Sequence, residues 1–392
     1  MKRRFNQRFG EEVDTARRWS SRVALGVIYL LQTVVGMQLE GAAHAIARPG
    51  YQFDFPRDYG SHPDFKIEWW YVTGHLKSEG DRRFGYQATF FRLAADSAIS
   101  REGNPPLPQD IHLAHMALLD LKTKKFYHQE RLQQSPWMAS AKKGDMELKN
   151  GNWKLRRIAD SEGPDFELQG SILADVNLNM QLSASKPITL FGNKGYSRKG
   201  SDPGAASYYM TFTRLQTTGS IRLKGKSLKV RGWSWMDHEV SSSQLAPQQV
   251  GWDWLSIRLN DGRDIMAYRM RTTRKEADPF STFAWVDANG DASHQRLLDE
   301  MWKVKRLWTS PQTKNTYPVE VELNIPDPDS DNVFQARIVP LYDGQEMLGH
   351  LSRIEYWEGA CDVLDAKGRT IGEAYMELAG YGGESDLSAL KR

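Results

Sequence analysis

The chain has 392 residues, of which 40% are hydrophobic and 26% are charged. This composition is typical of globular proteins and excludes a disordered, collagenous or coiled-coil chain, and the length favours two domains of ordinary size. A single cysteine, Cys361, excludes a disulfide framework and any metal or iron–sulfur site built from cysteines.

The slight excess of positive charge is confined to the N-terminal segment. Residues 1–45 contain seven Lys or Arg and four Asp or Glu. Removing them from the totals of 52 and 49 leaves 45 basic and 45 acidic residues in the rest of the chain. A neutral chain has no excess charge with which to follow a phosphate backbone, so nucleic acid is not an expected partner.

The first 45 residues have the pattern of a secretory signal peptide. A basic stretch precedes the uncharged run Val23–Leu39, and Ala43-His44-Ala45 provides the small residues needed for cleavage near Ala45. We therefore expect a periplasmic or secreted protein. A retained membrane anchor formed by residues 23–39 is the alternative, because this run is just long enough to span a bilayer. In both cases, membrane contact is expected only through this segment.

After Ala45, alternating apolar and polar residues separated by short turns predict an antiparallel all-β protein. Only two short stretches, near Trp137–Lys142 and Leu297–Trp302, are compatible with an amphipathic helix. The predicted strands, in chain order, are Lys66–Leu76, Arg82–Leu93, Ile111–Leu121, Trp153–Ile158, Phe166–Ile172, Ser207–Arg214, Ser220–Leu223, Leu228–Gly232, Trp252–Asn260, Arg263–Arg271, Val319–Ile325, Val333–Ile338, Arg353–Glu355, Cys361–Leu364 and Ile371–Glu377.

A weak repeat divides this β-rich region into halves. The runs Trp69–Leu76 and Trp252–Leu259 have the same length and begin 183 residues apart. Each leads through a glycine-containing turn into an aromatic strand that ends in an arginine, Arg92 or Arg271. Two tandem antiparallel β-barrels would explain the repeat, and chance similarity between tryptophan-rich strands is the alternative.

The predicted domains span residues 46–240 and 250–392, with a polar loop at residues 240–249 between them. Both faces of the strand Trp252–Leu259 are largely apolar. A strand of this kind is covered on both sides, so we expect it to lie between a barrel interior and the other domain.

The common catalytic and cofactor motifs are absent from the sequence. There is no G-x-S-x-G, no H-E-x-x-H and no glycine-rich phosphate loop, so no nucleophilic serine, metal site or cofactor is predicted. His112 and His115 are three residues apart on a predicted strand. They therefore point to opposite faces and cannot share a metal ion unless a bulge intervenes.

The most polar cluster in an aromatic setting is Gly232–Glu239, with the sequence GWSWMDHE. Buried Asp237, His238 and Glu239 would be hydrogen-bonded and would have shifted pKa values, which suits proton transfer near neutral pH. The structural alternative is that these side chains only fasten the end of a strand to nearby backbone amides.

A second polar residue in an aromatic setting is Glu68, which precedes Trp69, Trp70 and Tyr71. Its structural alternative is a buried ion pair with an arginine of a neighbouring strand, either Arg92 or Arg271. We expect the two clusters to meet near the domain interface. Their tryptophans would then form one aromatic cluster, made of Trp69, Trp70, Trp235, Trp252 and Trp254.

These stretches resemble the AttH-like / carotenoid 1,2-hydratase (hydroxyneurosporene synthase) family of secreted proteins. The matching segments follow one another in order through most of the chain after Ala45. They are Glu68–Gly74 (EWWYVTG), Tyr208–Arg214 (YYMTFTR), Gly232–Glu239 (GWSWMDHE), Gly251–Leu259 (GWDWLSIRL), Tyr356–Gly359 (YWEG) and Tyr375–Tyr381 (YMELAGY).

The resemblance implies two lipocalin-like (calycin) β-barrel domains. In the family's hydratases, an Asp-His-x-Trp stretch and a Tyr and an Asp on the following strand contribute to the active site. Here Asp237-His238 is kept and Tyr268 matches the tyrosine. Val240 replaces the tryptophan, and Arg269 and Met270 supply no carboxylate.

Two functions follow as expectations. The first is an exported protein that binds a hydrophobic small molecule or lipid, and an ABC transporter is a further partner that the resemblance suggests. The second is a hydratase or cyclase-type enzyme for an apolar, terpenoid-like or carotenoid-like substrate, with Asp237, His238 and Glu239 as acid–base groups and Tyr268 as a donor. The candidate ligand-binding residues are Glu68, Trp69, Trp70, Tyr71, Trp235, Trp252 and Trp254.

Overall fold

The computed structural model describes residues 44–94, 110–159, 163–242, 245–246, 248–274, 276–352 and 354–382. The predicted signal peptide or anchor lies outside these ranges, apart from its last two residues. Within them, no helix is long and apolar enough to cross a membrane.

The described part of the chain is almost entirely β-structure and irregular connections, as predicted, with 61% of the described residues in strands. The first sheet contains β1 (Ile67–Ser78), β2 (Arg83–Leu93), β3 (Ile111–Asp120), β4 (Lys125–Gln133), β5 (Ala139–Ala141), β6 (Glu147–Asn150), β7 (Trp153–Ile158), β8 (Asp165–Ile172), β9 (Val176–Ala184), β10 (Thr189–Leu190), β11 (Tyr196–Arg198), β12 (Ala206–Leu223) and β13 (Lys226–Ser241).

The second sheet contains β14 (Gln249–Leu259), β15 (Asp264–Thr272), β16 (Thr282–Val286), β17 (Ala292–Arg296), β18 (Trp302–Thr309), β19 (Thr316–Pro326), β20 (Val333–Pro340), β21 (Glu346–Leu348), β22 (Glu355–Leu364) and β23 (Thr370–Ala379). Two 3-10 turns, Arg57–Tyr59 and Asp299–Met301, are the helical elements in the described ranges.

Both predicted helices are therefore wrong. The stretch Trp137–Lys142 contains strand β5, and Leu297–Trp302 contains a 3-10 turn that leads directly into β18. In a stretch of six residues, apolar side chains three positions apart fit one turn of helix and a turn followed by a strand equally well. Nothing in so short a pattern distinguishes the two.

The two sheets curl into one nearly closed barrel and one half-barrel. The strand order is β4-β3-β2-β1-β13-β12-β9-β8-β7-β6-β5 in the first sheet and β17-β16-β15-β14-β23-β22-β20-β19-β18 in the second. The predicted repeat is visible in this order, because β1 and β14 hold equivalent places. Each pairs on one side with the strand that follows it and on the other side with the last strand of its sheet.

Each sheet has its own apolar core, and a third apolar cluster lies between them. On β14, Leu255, Ile257 and Leu259 point into the second core, and Trp254 points into the third cluster. Both faces of this strand are therefore covered, as its sequence predicts. The third cluster also contains residues of the first sheet, including Tyr71 and Trp235.

The five tryptophans predicted to cluster do not all meet. Trp235 and Trp254 belong to the cluster between the sheets, and Trp69 and Trp252 pack against it. Trp70 lies instead in the core of the first sheet. Successive side chains of a strand point to opposite faces, so Trp69 and Trp70 cannot share one cluster.

The two sheets pack tightly where Gly85 of β2 faces Ala360 of β22. A Cβ atom at Gly85 would lie 2.5 Å from the Cβ of Ala360. We expect Gly85→Val to lower the free energy of unfolding by about 1–3 kcal/mol, because the added side chain forces the sheets apart. Chemical denaturation measures this effect. Gly80→Val is the matched control, since no atom lies within 4 Å of a Cβ there; equal effects at both positions would contradict the argument.

Candidate functional site

A cavity of about 210 Å³ lies between the two sheets and is lined by both. Its walls are mainly apolar and aromatic, as expected for a site that holds an apolar molecule. The aromatic lining residues are Trp69, Tyr71, Phe91, Tyr209, Trp252, Trp254, Tyr268 and Tyr356. The titratable side chains among them, apart from the tyrosines, are His115, Lys199, Asp237, Glu239, Glu358 and Glu377.

The pairing of β1 with β13 decides which side chains reach this cavity. Tyr71 is paired with Asp237 and Trp69 with Glu239, and all four line the cavity. The intervening pair, Trp70 and His238, points to the opposite face, where the indole and imidazole rings stack with centroids 4.5 Å apart. The predicted meeting of the two polar clusters is therefore confirmed, but their side chains divide between two faces.

Asp237 is the buried carboxyl group at the first-sheet wall of the cavity. Its Oδ1 accepts hydrogen bonds from Thr211 Oγ1 at 2.6 Å and Trp235 Nε1 at 2.7 Å, and its Oδ2 accepts one from the Tyr209 hydroxyl at 2.8 Å. Burial raises the pKa of Asp237 to about 7, although these three donors oppose the rise. The group can therefore gain or lose a proton near neutral pH.

The second sheet supports this arrangement from across the interface. Trp254 Nε1 donates a hydrogen bond to the Tyr209 hydroxyl at 3.0 Å, and that hydroxyl donates to Asp237. A chain of donors therefore runs from β14 to the carboxylate on β13. The position of the Asp237 carboxylate depends on both sheets.

Glu239 is neutralised by a lysine within the cavity wall. Lys199 Nζ lies 3.0 Å from Glu239 Oε2, and it sits over the rings of Tyr209 and Tyr268 at 4.7 and 4.3 Å from their centroids. Tyr268 donates its hydroxyl hydrogen to the carbonyl of Arg198 at 3.2 Å. In this structure the Tyr268 ring thus helps to hold Lys199, while its hydroxyl is bonded to the backbone.

A second pair of carboxyl groups lies on the wall formed by the second sheet. Glu358 of β22 and Glu377 of β23 are directly opposed across the two strands, and both line the cavity. The Tyr71 hydroxyl donates to Glu358 Oε1, and Trp252 Nε1 donates to Glu377 Oε1 at 3.2 Å. Burial raises the pKa of Glu358 well above its usual value, and the charge of Glu377 adds to the rise.

Glu68 lies outside the cavity, in a buried polar network on the other face of β1. Arg92 Nε donates to Glu68 Oε2 at 3.1 Å, which is the ion pair that the structural alternative predicts. His238 Nε2 and His62 Nδ1 both contact Glu68 Oε1, at 2.9 and 2.8 Å, and His62 Nε2 lies 3.2 Å from Asp58 Oδ1. This network fastens residues 58–62, which precede β1, to β1, β2 and β13.

The same network contains the one group of three metal-type ligands found in the described ranges. His62, Glu68 and His238 have ligand atoms within 4.8 Å of one another. These atoms are already hydrogen-bonded to each other, and the buried guanidinium of Arg92 would repel a cation. The geometry fits a closed hydrogen-bond network better than a metal centre.

Some of the predicted site residues therefore line the cavity, and the others do not. Asp237, Glu239, Tyr268, Trp69, Tyr71, Trp252 and Trp254 line the cavity, and His238, Glu68, Trp70 and Trp235 do not. Three of the latter are turned away by the alternation of β1 and β13. Trp235 does not line the cavity, but its indole donates a hydrogen bond to the Asp237 carboxylate, which does.

Several cavity residues were not predicted, chiefly Glu358, Glu377, Lys199 and Tyr209. The glutamates carry the signal that identified Glu68, an acidic residue within an aromatic strand, in the stretches YWEG and YMELAGY. They lie far from Asp237 in sequence, and no pattern gives the register that brings them to one cavity.

Comparisons with known proteins agree with this architecture. The family model described as AttH-like matches residues 46–381. A crystal structure of an AttH-type protein from Nitrosomonas europaea is 33% identical, with a TM-score of 0.74, and the match covers 86% of this chain and 99% of that one. A comparison with curated proteins gave no significant match.

Two more distant structures share the fold. Kievitone hydratase from Nectria haematococca is 13% identical with a TM-score of 0.62, covering 87% of this chain and 96% of that one. CghA with Sch210972 is 10% identical with a TM-score of 0.50, covering 81% and 89%. These matches confirm the predicted class of two lipocalin-like barrel domains.

Proposed function

Because the chain belongs to the AttH-like family, we propose that it is an acid–base enzyme of the hydratase or cyclase type that acts on an apolar substrate between its two sheets. The observation that carries the proposal is Asp237, a buried carboxyl group that lines an aromatic cavity and accepts three hydrogen bonds; burial raises its pKa to about 7. One solved structural neighbour is a hydratase, which supports the same class of reaction.

Asp237 is arranged to work as a carboxylate that accepts a proton. Three donors point at its two oxygens, and hydrogen bonds to the charged form favour that form. The aromatic walls exclude bulk water, so proton transfer takes place where electrostatic interactions are strong. Lys199 pairs with Glu239 at 3.0 Å and partly offsets its negative charge, which opposes the ionisation of Asp237.

A protein that only binds a hydrophobic molecule or lipid is the second candidate, and the aromatic cavity itself is the observation in its favour. That cavity lies between the sheets rather than inside a barrel, because apolar side chains fill the sheet interiors. A binding protein has no need of a buried carboxyl group with a pKa of about 7, which favours the enzyme. Export and an ABC transporter partner stay predictions.

The test compares the wild-type protein with Asp237→Asn on apolar extracts of the producing cells, followed by mass spectrometry. We expect wild-type protein to convert one component into a product that has gained a water molecule or has been isomerised. Its rate should rise as the pH passes through about 7, where Asp237 loses its proton. Asp237→Asn should slow conversion about 100-fold, because it removes a positioned base.

Glu147→Gln is the control, since Glu147 is an exposed surface carboxylate paired with Lys142. If wild-type protein retains a component of the extract without changing it, and Asp237→Asn retains it equally well, the chain is a binding protein and the enzyme proposal is wrong.

A further inference from the structure

The carboxyl pair Glu358 and Glu377, on the second-sheet wall of the cavity, has no role in proton transfer by Asp237. Both side chains line the cavity wall; Glu358 has none of its surface exposed, and Glu377 is half-buried. Glu358 Oε1 accepts a hydrogen bond from Tyr71, but Oε2 is buried without a hydrogen-bond partner in the described part of the chain. A buried polar atom without a partner at a cavity wall is available to a ligand.

Burial and neighbouring negative charges favour the protonated forms of this pair. Burial and the charge of Glu377 raise the pKa of Glu358, against the hydroxyls of Tyr71 and Tyr356, which lower it, and the charges of Asp237 and Glu239 raise the pKa of Glu377 from across the cavity. Burial raises the pKa of Glu377 to about 8, and that of Glu358 also lies well above its usual value. Of the two groups, Asp237 ionises more easily, because its carboxylate accepts three hydrogen bonds, and Glu358 more easily keeps its proton.

We propose that neutral Glu358 donates a hydrogen bond from Oε2 to a carbonyl oxygen of the substrate, so that the substrates are apolar α,β-unsaturated carbonyl compounds. This inference rests on the proposed function and names the substrate class for the same cavity. It assigns complementary roles to the two walls, a base on the first sheet and a hydrogen-bond donor on the second.

Glu358 is a weak acid, and for this reason it suits a carbonyl compound better than an alkene without a carbonyl. A carboxyl group with a raised pKa is too weak an acid to protonate an unactivated double bond. It is well matched to an enolate oxygen, and a neutral carboxylic acid in an apolar site stabilises such an oxyanion by hydrogen bonding.

The addition of water can then be written with every atom accounted for. Asp237 takes a proton from water as the water oxygen bonds to the β-carbon. The π electrons of the carbon–carbon double bond then form a new double bond between the α-carbon and the carbonyl carbon, and the π electrons of the carbonyl move onto its oxygen. The carbonyl oxygen takes the proton of Glu358 and becomes an enol. Asp237 then protonates the α-carbon, and the enol returns its proton to Glu358. The product is a β-hydroxy carbonyl compound, and both carboxyl groups regain their starting states.

The test uses 4-phenylbut-3-en-2-one, an apolar enone whose ultraviolet absorption moves to longer wavelength when its carbonyl accepts a hydrogen bond. The comparison ligand is 1-phenylbut-1-ene, which has a similar shape but no carbonyl. We expect wild-type protein to bind the enone about tenfold more tightly than the hydrocarbon, with a red shift. Glu358→Leu should abolish both the preference and the shift.

Glu358→Gln is the second variant, since its amide still donates a hydrogen bond but cannot supply a proton. We expect it to keep the tight binding and part of the red shift while losing enone hydration. If the wild-type protein binds the two ligands equally, or if Glu358→Leu leaves the red shift unchanged, the inference is wrong.

The same measurements distinguish a failure of the proposed function from a failure of the proposed substrate class. A red shift that depends on Glu358, without hydration of the enone or of any component of the cell extract, supports the donor and overturns the enzyme proposal. Turnover that needs Asp237 but acts equally on an alkene without a carbonyl supports the enzyme and overturns the substrate class.

Discussion

Replacing Glu68 with leucine should lower the free energy of unfolding by about 3–5 kcal/mol, because it removes the buried carboxylate that pairs with the buried guanidinium of Arg92. Arg92 is only 1% exposed. Its remaining hydrogen bonds go to the carbonyls of His62 and Phe65, and its remaining ion pair, with the partly exposed Asp110 at 3.5 Å, is longer than the one with Glu68. Denaturation with urea at neutral pH measures the loss.

Two further variants isolate the ion pair. Glu68→Leu combined with Arg92→Leu removes both charges and should recover part of the stability, since the guanidinium that has lost its buried partner is gone. Glu147→Leu, which breaks the exposed pair with Lys142, should change the stability by less than about 0.5 kcal/mol. A double variant that is no more stable than Glu68→Leu alone would show that the charge of Arg92 is not the cause.

The same network predicts how the stability depends on pH. Contacts with His62 and His238 outweigh burial and hold the pKa of Glu68 well below its usual value, so its contribution is present above the pKa of the unfolded chain and is lost in acid. Asp58 and Glu68 raise the pKa of His62 to about 9, against the effect of burial. That contribution is complete below about pH 6.5 and is lost as the pH rises through 9.

His238 faces the same carboxylate oxygen as His62 but has the opposite shift. Burial lowers the pKa of His238, whereas His62 also contacts Asp58 and therefore holds the proton. A neutral His238 adds to the loss of stability in acid, because it gains a proton only on unfolding. A His62→Gln variant should lose the alkaline decline, and an unchanged decline above pH 8 would contradict this assignment.

The β-architecture follows from the sequence because alternation along a strand is a local property. The sequence also places acidic residues in aromatic strands at Glu68 and Asp237, and β1 does pair with β13. Alternation alone already separates His238 from Asp237, since neighbours on a strand face opposite ways. The prediction that all three residues Asp237–Glu239 act together overlooked this constraint.

The register between distant strands cannot be predicted from the sequence. Glu358 and Glu377 are opposed because β22 pairs with β23, and they reach the cavity because the second sheet packs against β1. Tyr71 meets Glu358 across 287 residues of chain. Such a contact depends on how two complete sheets pack, and no local pattern encodes that packing.

Trp235→Ala is the other large effect that we expect, a loss of about 3–5 kcal/mol in the free energy of unfolding. The Trp235 side chain is 4% exposed and lies between the sheets. It makes an edge contact with Trp254 of the second sheet at 6.1 Å and stacks near Phe191 at 6.3 Å between ring centroids. Its removal leaves a cavity against both sheets, so both should unfold in one transition at lower temperature.

The hydrogen bond of Trp235 can be separated from its packing. Trp235→Phe keeps an aromatic ring beside Trp254 but cannot donate to Asp237, so it should cost much less stability than alanine. Losing that donor favours the neutral form of Asp237, and the rise of activity with pH should therefore shift to higher pH. Trp137→Ala is the packing control, since that indole is 83% exposed. Separate melting transitions for the two sheets in Trp235→Ala would mean that the shared cluster does not couple them.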